Sequence, residues 1–385
     1  MRAALLTNAI RTPLTGIGRY TLELAKQFVA LQAGVQFVGG TDPLLWSEVA
    51  ERERGSQARF ISQLKQIVKS SSILSFGYPY LRALREWYFL RSYRDYVVHS
   101  PNFYLPSSRS CRRIVTIHDL SMFLFPECFD PGTRSMMQSV CEKSVKNADA
   151  IITISHSVKK ELCDFFSYPE DHVFVTHLAG DSKFHPRNQR ECVLVLKKYG
   201  LSYKSYALFV GTIEPRKNLV TLIHAYKLIP EKIRHKYPLV VIGYEGWRSE
   251  AEHSLFASAS DSGWLRYLSY VPEHDLSILY SGSKLLCFPS LYEGFGLPLV
   301  EAMSAGIPVV CSDISVLREI GAFAPCYVAC EDVKLWANTI SKCLSDEKLN
   351  LDMGFRGLQR SREFSWLKCA QQTLYAYDRT LKISS

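Results

Sequence analysis

The sequence predicts an α/β protein made of two doubly wound parallel-sheet domains, and three observations carry that expectation. Apolar runs of strand length alternate with helical patterns, and the alternation restarts after a polar, proline-containing joint at Phe184-His185-Pro186-Arg187-Asn188. The chain has 385 residues, more than a single hydrophobic core usually organises. Every loop of unusual composition (16–18, 118, 155, 211–217, 243 and 293) directly follows an expected strand. In open α/β sheets ligands bind beyond the carboxyl ends of the strands, so these loops gather where chemistry is expected.

In chain order, residues 2–7 read as a first strand leading into Thr15-Gly16-Ile17-Gly18-Arg19-Tyr20. A helix over 20–31 places Leu22, Leu24, Phe28 and Leu31 toward one side. Residues 35–38 form a second strand, followed by helical patterns around 60–68 and 81–90. Strands at 95–99, 113–117, 148–154 and 173–176 complete the first block, with a helix from 157 through 162. The second block has strands at 206–210, 239–242, 265–271, 285–288 and 307–311. Its helices run from 218 through 226, over 275–280 and over 298–305, and an amphipathic helix over 366–381 ends the chain. The joint divides the chain into domains at about 1–185 and 190–365, with 366–385 as a terminal helix.

Composition is that of an ordinary soluble globular protein, 47% apolar and 22% charged. No run approaches the roughly 20 apolar residues of a membrane span. The eleven cysteines are scattered singly, with no C-x-x-C pair, which argues for reduced thiols, a cytoplasmic setting and no zinc site. The formal charge is +9, and the excess is local. Residues 51–94 hold nine basic side chains against Glu51, Glu53 and Glu86, interleaved with Trp87, Tyr88 and Phe89. Such a face attracts phosphates, and a peripheral contact with an anionic membrane is one expectation. The other is an amphipathic helix face turned to water. Nothing else resembles a nucleic-acid module.

The most informative stretch is 285–313, a strand, the loop Tyr292-Glu293-Gly294-Phe295-Gly296, a helix and a second strand. Glu293 stands in the loop and Glu301 is expected in the first helical turn, where the dipole favours ionised carboxylates and free N–H groups suit a phosphate. The loop Gly211-Thr212-Ile213-Glu214-Pro215-Arg216-Lys217-Asn218 is the clearest anion site: a glycine for close approach, then two adjacent cations. Gly16-Ile17-Gly18 has Thr21 where a dinucleotide fingerprint needs its third glycine. Asp42 is displaced from a clean strand end, so a dinucleotide cofactor is disfavoured. His118 ends an apolar strand, as a hydrogen-bonded rim histidine or as a group beneath a substrate. No Asp-x-Asp occurs, so the cations and a helix N-terminus are expected to carry the charge without a metal.

The string E-G-F-G-L-P-L-V-E, with seven residues between Glu293 and Glu301, closely resembles the E-x7-E element of retaining glycosyltransferases of family 4. His118-Asp119-Leu120-Ser121 with Phe125-Pro126-Glu127 resembles the branch transferring mannose or deoxyhexoses in bacterial polysaccharide assembly. The resemblance covers nearly the whole chain but is specific mainly over 206–313. It implies the GT-B fold: two Rossmann-like domains, acceptor-binding then nucleotide-sugar-binding, with the terminal helix crossing back to the first. It implies that Lys217 binds the donor diphosphate. Thr212 stands where many members have arginine, so Arg216 is assigned the guanidinium, and Gly16 and Gly18 offer backbone N–H groups. Glu301 then binds the ribose hydroxyls, while Val271, Gly243 and Gly211 line the nucleotide, and Glu293 and His118 hold the sugar. The implied donor is a nucleotide sugar, GDP-mannose first, and the acceptor a saccharide or lipid-diphosphate-linked saccharide, met at the cytoplasmic face of the inner membrane. A sugar-nucleotide isomerase or phosphorylase on the same fold, or a non-catalytic nucleotide-sugar binder, remains the alternative.

Overall fold

A computed structural model of the chain describes residues 2–11, 14–39, 42–54, 91–106, 110–246 and 250–383. The helical patterns expected at 60–68 and 81–90, and the basic and aromatic residues within 55–90, lie outside the described residues. The chain forms two compact units: residues 1–120, 135–178 and 366–385 in one, residues 121–134 and 179–365 in the other.

The first unit is a seven-stranded sheet: β1 (Ala3–Leu6), β2 (Gln36–Gly39), β3 (Asp42–Leu44), β4 (Val97–Ser100), β5 (Arg112–Ile117), β6 (Ala150–Thr153) and β7 (Val173–Val175). Their order is β3-β2-β1-β4-β5-β6-β7. All neighbours are parallel except β2 and β3, where Gly39 pairs with Asp42. Asp42 therefore opens a short antiparallel edge strand that the sequence reading did not contain. Burial of β1, β4 and β6 at every position explains their unbroken apolar runs, since helices cover both faces of a parallel sheet.

The second unit is a six-stranded, wholly parallel sheet: β8 (Ala207–Val210), β9 (Leu239–Ile242), β10 (Leu265–Leu268), β11 (Leu285–Phe288), β12 (Val309–Ser312) and β13 (Cys326–Val328). The order β10-β9-β8-β11-β12-β13 reverses direction between β8 and β11, as that of the first sheet does between β1 and β4. These are the points where an open α/β sheet parts its loops and leaves a crevice. The fold class is thus the expected one. β10 stops at Leu268, short of the expected 271, where the Gly243 N–H donates to both the Leu268 and the Ser269 carbonyl.

The terminal helix Trp366–Leu381 belongs to the first unit. Its Tyr377 packs against Phe28 of the helix Gly16–Ala30, and Trp366 against Tyr20. Tyr377 also shares a hydrogen bond with His99 in β4 (2.7 Å), and the other ring nitrogen of His99 meets Thr116 Oγ1 in β5 (2.7 Å). Burial pushes the His99 pKa down to about 3, so the imidazole is neutral and one nitrogen donates while the other accepts. Polar side chains thus fasten the last helix to the sheet from inside the core. The sequence reading missed them because a buried histidine carries no periodic signature.

Candidate functional site

In the second unit the loops after β8 and β11 meet at the sheet's reversal point. The β8 loop makes a short 3-10 turn, Pro215–Lys217, then enters the helix Leu219–Leu228 through Asn218 in the left-handed region, φ 54°. Asn218 is among the non-glycine residues that tolerate that conformation. Its side chain donates to Pro289 O (3.2 Å) and Cys330 O (2.9 Å), tying the β8 loop to the segments that follow β11 and β13. The sequence reading treated Asn218 only as the end of a motif; its signal was an asparagine at a helix entry.

That anchoring sets Lys217 Nζ 2.5 Å from Glu293 Oε1. Both residues are buried, at 9% and 8% exposure, so this is a desolvated ion pair and not a surface one. Arg216 lies alongside: it donates to Tyr292 O (2.8 Å) and Glu214 Oε1 (2.6 Å), and its Nη1 stands 3.7 Å from Glu293 Oε2. The Leu291 N–H bonds Arg216 O in return (2.9 Å), so the two loops are stitched in both directions. Burial raises the Glu293 carboxyl pKa. Lys217 first and Arg216 second outweigh that and hold it below the usual carboxylate range. Glu293 is consequently an acceptor of hydrogen bonds near neutrality, not a proton donor.

Residues 121–134 brace this pair of loops from within the same unit. Phe125 packs on Tyr292 at 5.1 Å between ring centroids, and the Cys128 thiol lies beside the Arg216 backbone. Sequence reading had quoted Phe125-Pro126-Glu127 only as part of a resemblance. The helix after the loop is Leu297–Ser304, capped by Gly296 at φ 88°. It starts one residue earlier than expected, so Pro298 is not its first residue and no acid lies in its first turn. Glu301, half-buried, is the fifth residue of the helix, one position past the first turn that the dipole argument required. Gly243 also has a local reason: a Cβ there would sit 1.8 Å from Gly211 O, so the ends of β8 and β9 close only on glycine. Val271 is buried just before the helix Glu273–Gly282.

In the first unit, Thr15 caps the helix Gly16–Ala30 by accepting from Gly18 N–H (3.1 Å), so of the two glycines only Gly16 keeps its N–H clear of that cap. A Cβ on Gly18 would meet Ala9 O at 2.8 Å, which accounts for this glycine structurally. His118 follows β5 and its Nε2 lies 3.0 Å from Pro101 O, the residue after β4. Burial lowers its pKa, and the neutral ring must then donate from Nε2, leaving Nδ1 to accept. Tyr20 packs edge-on against the ring at 5.1 Å. Each unit thus assembles its own residues: Lys217, Arg216 and Glu293 with Glu214 and Asn218 in one, His118 beside Tyr20 and the Gly16 helix start in the other.

Two family models match successive stretches of the chain. Residues 14–181 match the family described as Glycosyltransferase Family 4, and residues 197–360 match Glycosyl transferases group 1. The chain is 38% identical to "O-antigen chain mannosyltransferase B" of Escherichia coli over 98% of this chain and 99% of that one. It is 31% identical to "Serotype-specific mannosyltransferase WbdA" of Escherichia coli, over 75% of this chain but 36% of that longer one. Among solved structures, Anabaena Alr3699/HepE, crystallised with UDP and glucose, superposes with a TM-score of 0.73 at 14% identity, over 98% of this chain and all of that one. WaaG, a glycosyltransferase involved in lipopolysaccharide biosynthesis, gives 0.68 at 14% identity, covering 98% and 99% of the two chains. At such identities the likeness is one of fold.

Proposed function

This chain belongs to glycosyltransferase family 4, and from that premise we propose that it transfers mannose from GDP-mannose to a saccharide or lipid-linked saccharide acceptor in cell-surface polysaccharide assembly. The observation that carries the site assignment is the buried Lys217–Glu293 pair at the reversal point of the second sheet. An ammonium has three donors, so Lys217 can keep Glu293 and still bond a departing diphosphate. Arg216, held by Tyr292 O and Glu214, adds a second fixed charge beside it. Such preorganised charge matters most where negative charge develops, here on the leaving diphosphate. Glu293, kept ionised, accepts hydrogen bonds from sugar hydroxyls, and His118 Nδ1 accepts another. Glu301 binds the ribose, the Gly16 end of its helix approaches phosphate, and the backbone around Gly211, Gly243 and Val271 borders the base.

Transfer with retention, the stereochemistry of the family, has the acceptor hydroxyl attack on the leaving-group side, with a donor phosphate oxygen taking its proton. In this scheme no side chain serves as general acid, which agrees with a Glu293 below the usual carboxylate range and a His118 below its own. Among the described residues no helix is long and apolar enough to cross a membrane. The basic stretch 51–94 supports peripheral contact with anionic lipid at the cytoplasmic face. A panel of nucleotide sugars, read by thermal shift and by nucleoside diphosphate release, tests the donor. GDP-mannose should give the largest response, with GDP- or dTDP-deoxyhexoses and UDP-sugars behind it. A larger response to a UDP-sugar, a class to which the UDP and glucose of the Anabaena structure point, would overturn the GDP-mannose assignment.

A further inference from the structure

Of the eleven cysteines, all free, only Cys326 and Cys330 reach the surface in part; the other nine are buried. Cys326 opens β13, the edge strand of the second sheet. Cys343 lies on the helix Val333–Ser345, wholly buried in the core of the same unit. The two thiols lie side by side. Both rest on one thioether: Met353 Sδ, from the helix Glu347–Ser361, stands 3.7 Å from Cys326 Sγ and 3.9 Å from Cys343 Sγ. Residues 326, 343 and 353 are too far apart in the chain to read as a motif, so only the fold brings the three sulfurs together.

The two thiols are not equivalent. Cys326 is partly exposed, whereas Cys343 has no surface through which a dissolved reagent could reach it. The thiolate, not the thiol, is the nucleophile, so the environment of Cys326 decides its reactivity. Cys343 beside it, and the positive charges of Arg356 and Lys342, outweigh burial and draw the Cys326 thiol below the usual range. Arg356 also pairs with Asp352 at 3.0 Å, so its part is that of a neighbouring charge and not of a free ligand. Cys343 is pushed the other way, by the same neighbour and by burial. An accessible thiol beside a buried second one is the arrangement in which an oxidised sulfur is captured as a disulfide.

We propose that Cys326 and Cys343 form a reversible oxidation site for peroxide, with Cys326 attacking first and Cys343 closing the disulfide. In the first step the Cys326 sulfur attacks one oxygen of hydrogen peroxide. The S–O bond forms, the O–O bond breaks, and the leaving hydroxide takes the thiol proton as water. In the second step the Cys343 sulfur attacks the Cys326 sulfenic acid. The S–S bond forms, the S–O bond breaks, and the second water leaves with the Cys343 proton. Two thiols are oxidised by two electrons in all, and one peroxide is reduced to two waters. The site uses none of the residues assigned to the donor, so it stands or falls apart from the reaction proposed above.

Treatment of the full chain with dilute hydrogen peroxide, followed by thiol counting in denaturant and peptide mapping, tests the site. The unaltered chain should lose one pair of thiols, mapping should join Cys326 to Cys343, and dithiothreitol should restore both. Cys330→Ser removes the other partly exposed thiol and should behave like the unaltered chain. Cys326→Ser should slow thiol loss by about tenfold, since the accessible thiolate is gone. Cys343→Ser should leave a sulfenic acid at Cys326 that dimedone traps. Circular dichroism checks the fold of each variant; Cys326→Ser, at a partly exposed position, keeps the test independent of any loss of packing at Cys343. Thiol loss at the unaltered rate in Cys326→Ser, or a disulfide joining Cys326 to Cys311 or Cys330, would overturn the proposal.

Discussion

The two sheets share a plan but spend their polar residues differently. The second unit sets charges at its reversal point, the buried Lys217 and Glu293 with the half-buried Arg216 and Glu214, mutually paired. In the first unit two histidines are held neutral by burial: His99 between Tyr377 and Thr116, and His118 against Pro101 O, both with lowered pKa values. A buried charge holds its place only with a partner, whereas a neutral ring is satisfied by hydrogen bonds alone. The comparison teaches which half should answer to charge substitution through activity and which through stability.

The sharpest way to break the comparison is Lys217→Ala. It leaves Glu293 beside Arg216 alone and removes a cation from the leaving-group side. Turnover should fall by roughly 10²–10³ with the fold intact. A steady-state assay of nucleoside diphosphate release checks this, and a loss confined to thermal stability would put the residue on the structural side.

Acid should strike the first unit next. Folded His99 stays neutral down to about pH 3, while the unfolded histidine protonates near 6.5. Between those values the unfolded chain binds the extra proton, so stability falls as pH drops through that window. His118 is shifted the same way and adds to it. Glu293, shifted down from 4.5, contributes stability above that value and loses it as pH falls through its folded pKa. Urea titrations from pH 7 to pH 4 should show a decline that Tyr377→Phe displaces downward at every pH. That variant strands a ring nitrogen and should cost about 1–3 kcal/mol.

Glu301→Ala should weaken nucleoside diphosphate binding by about 1–3 kcal/mol through unpaired ribose hydroxyls. Unchanged binding by calorimetry would remove the residue from that role. The smallest expected effect is that of Phe125→Ala. Losing the ring contact with Tyr292 forfeits about 0.5–1.5 kcal/mol beyond the buried area. It should raise KM for the donor a few-fold with kcat nearly unchanged, because the loop is braced there and not chemically engaged.

Much of this was legible in the chain itself. The parallel strands announced themselves as short apolar runs, and the cation loop and the two acids announced themselves by position after strands. What escaped reading had no local signal. The edge strand Asp42–Leu44 contains a proline and is set by pairing with β2. The helix Pro131–Asn147 buries few of its residues and lacks a clear apolar stripe. Glu301 falls one residue outside the first turn because Gly296, not Pro298, decides where that helix begins. The Lys217–Glu293 contact joins residues 76 apart, a distance that sheet order sets and local pattern does not.

The central claim is that Lys217 is a phosphate-binding cation held ready by Glu293. Calorimetric titration of GDP into the unaltered chain, Lys217→Ala and Glu293→Gln tests it most directly. The account predicts that Lys217→Ala weakens GDP by at least tenfold, while Glu293→Gln, which leaves the lysine in place, binds GDP within about threefold of the unaltered chain. Equal GDP affinity in the unaltered chain and in Lys217→Ala would contradict it.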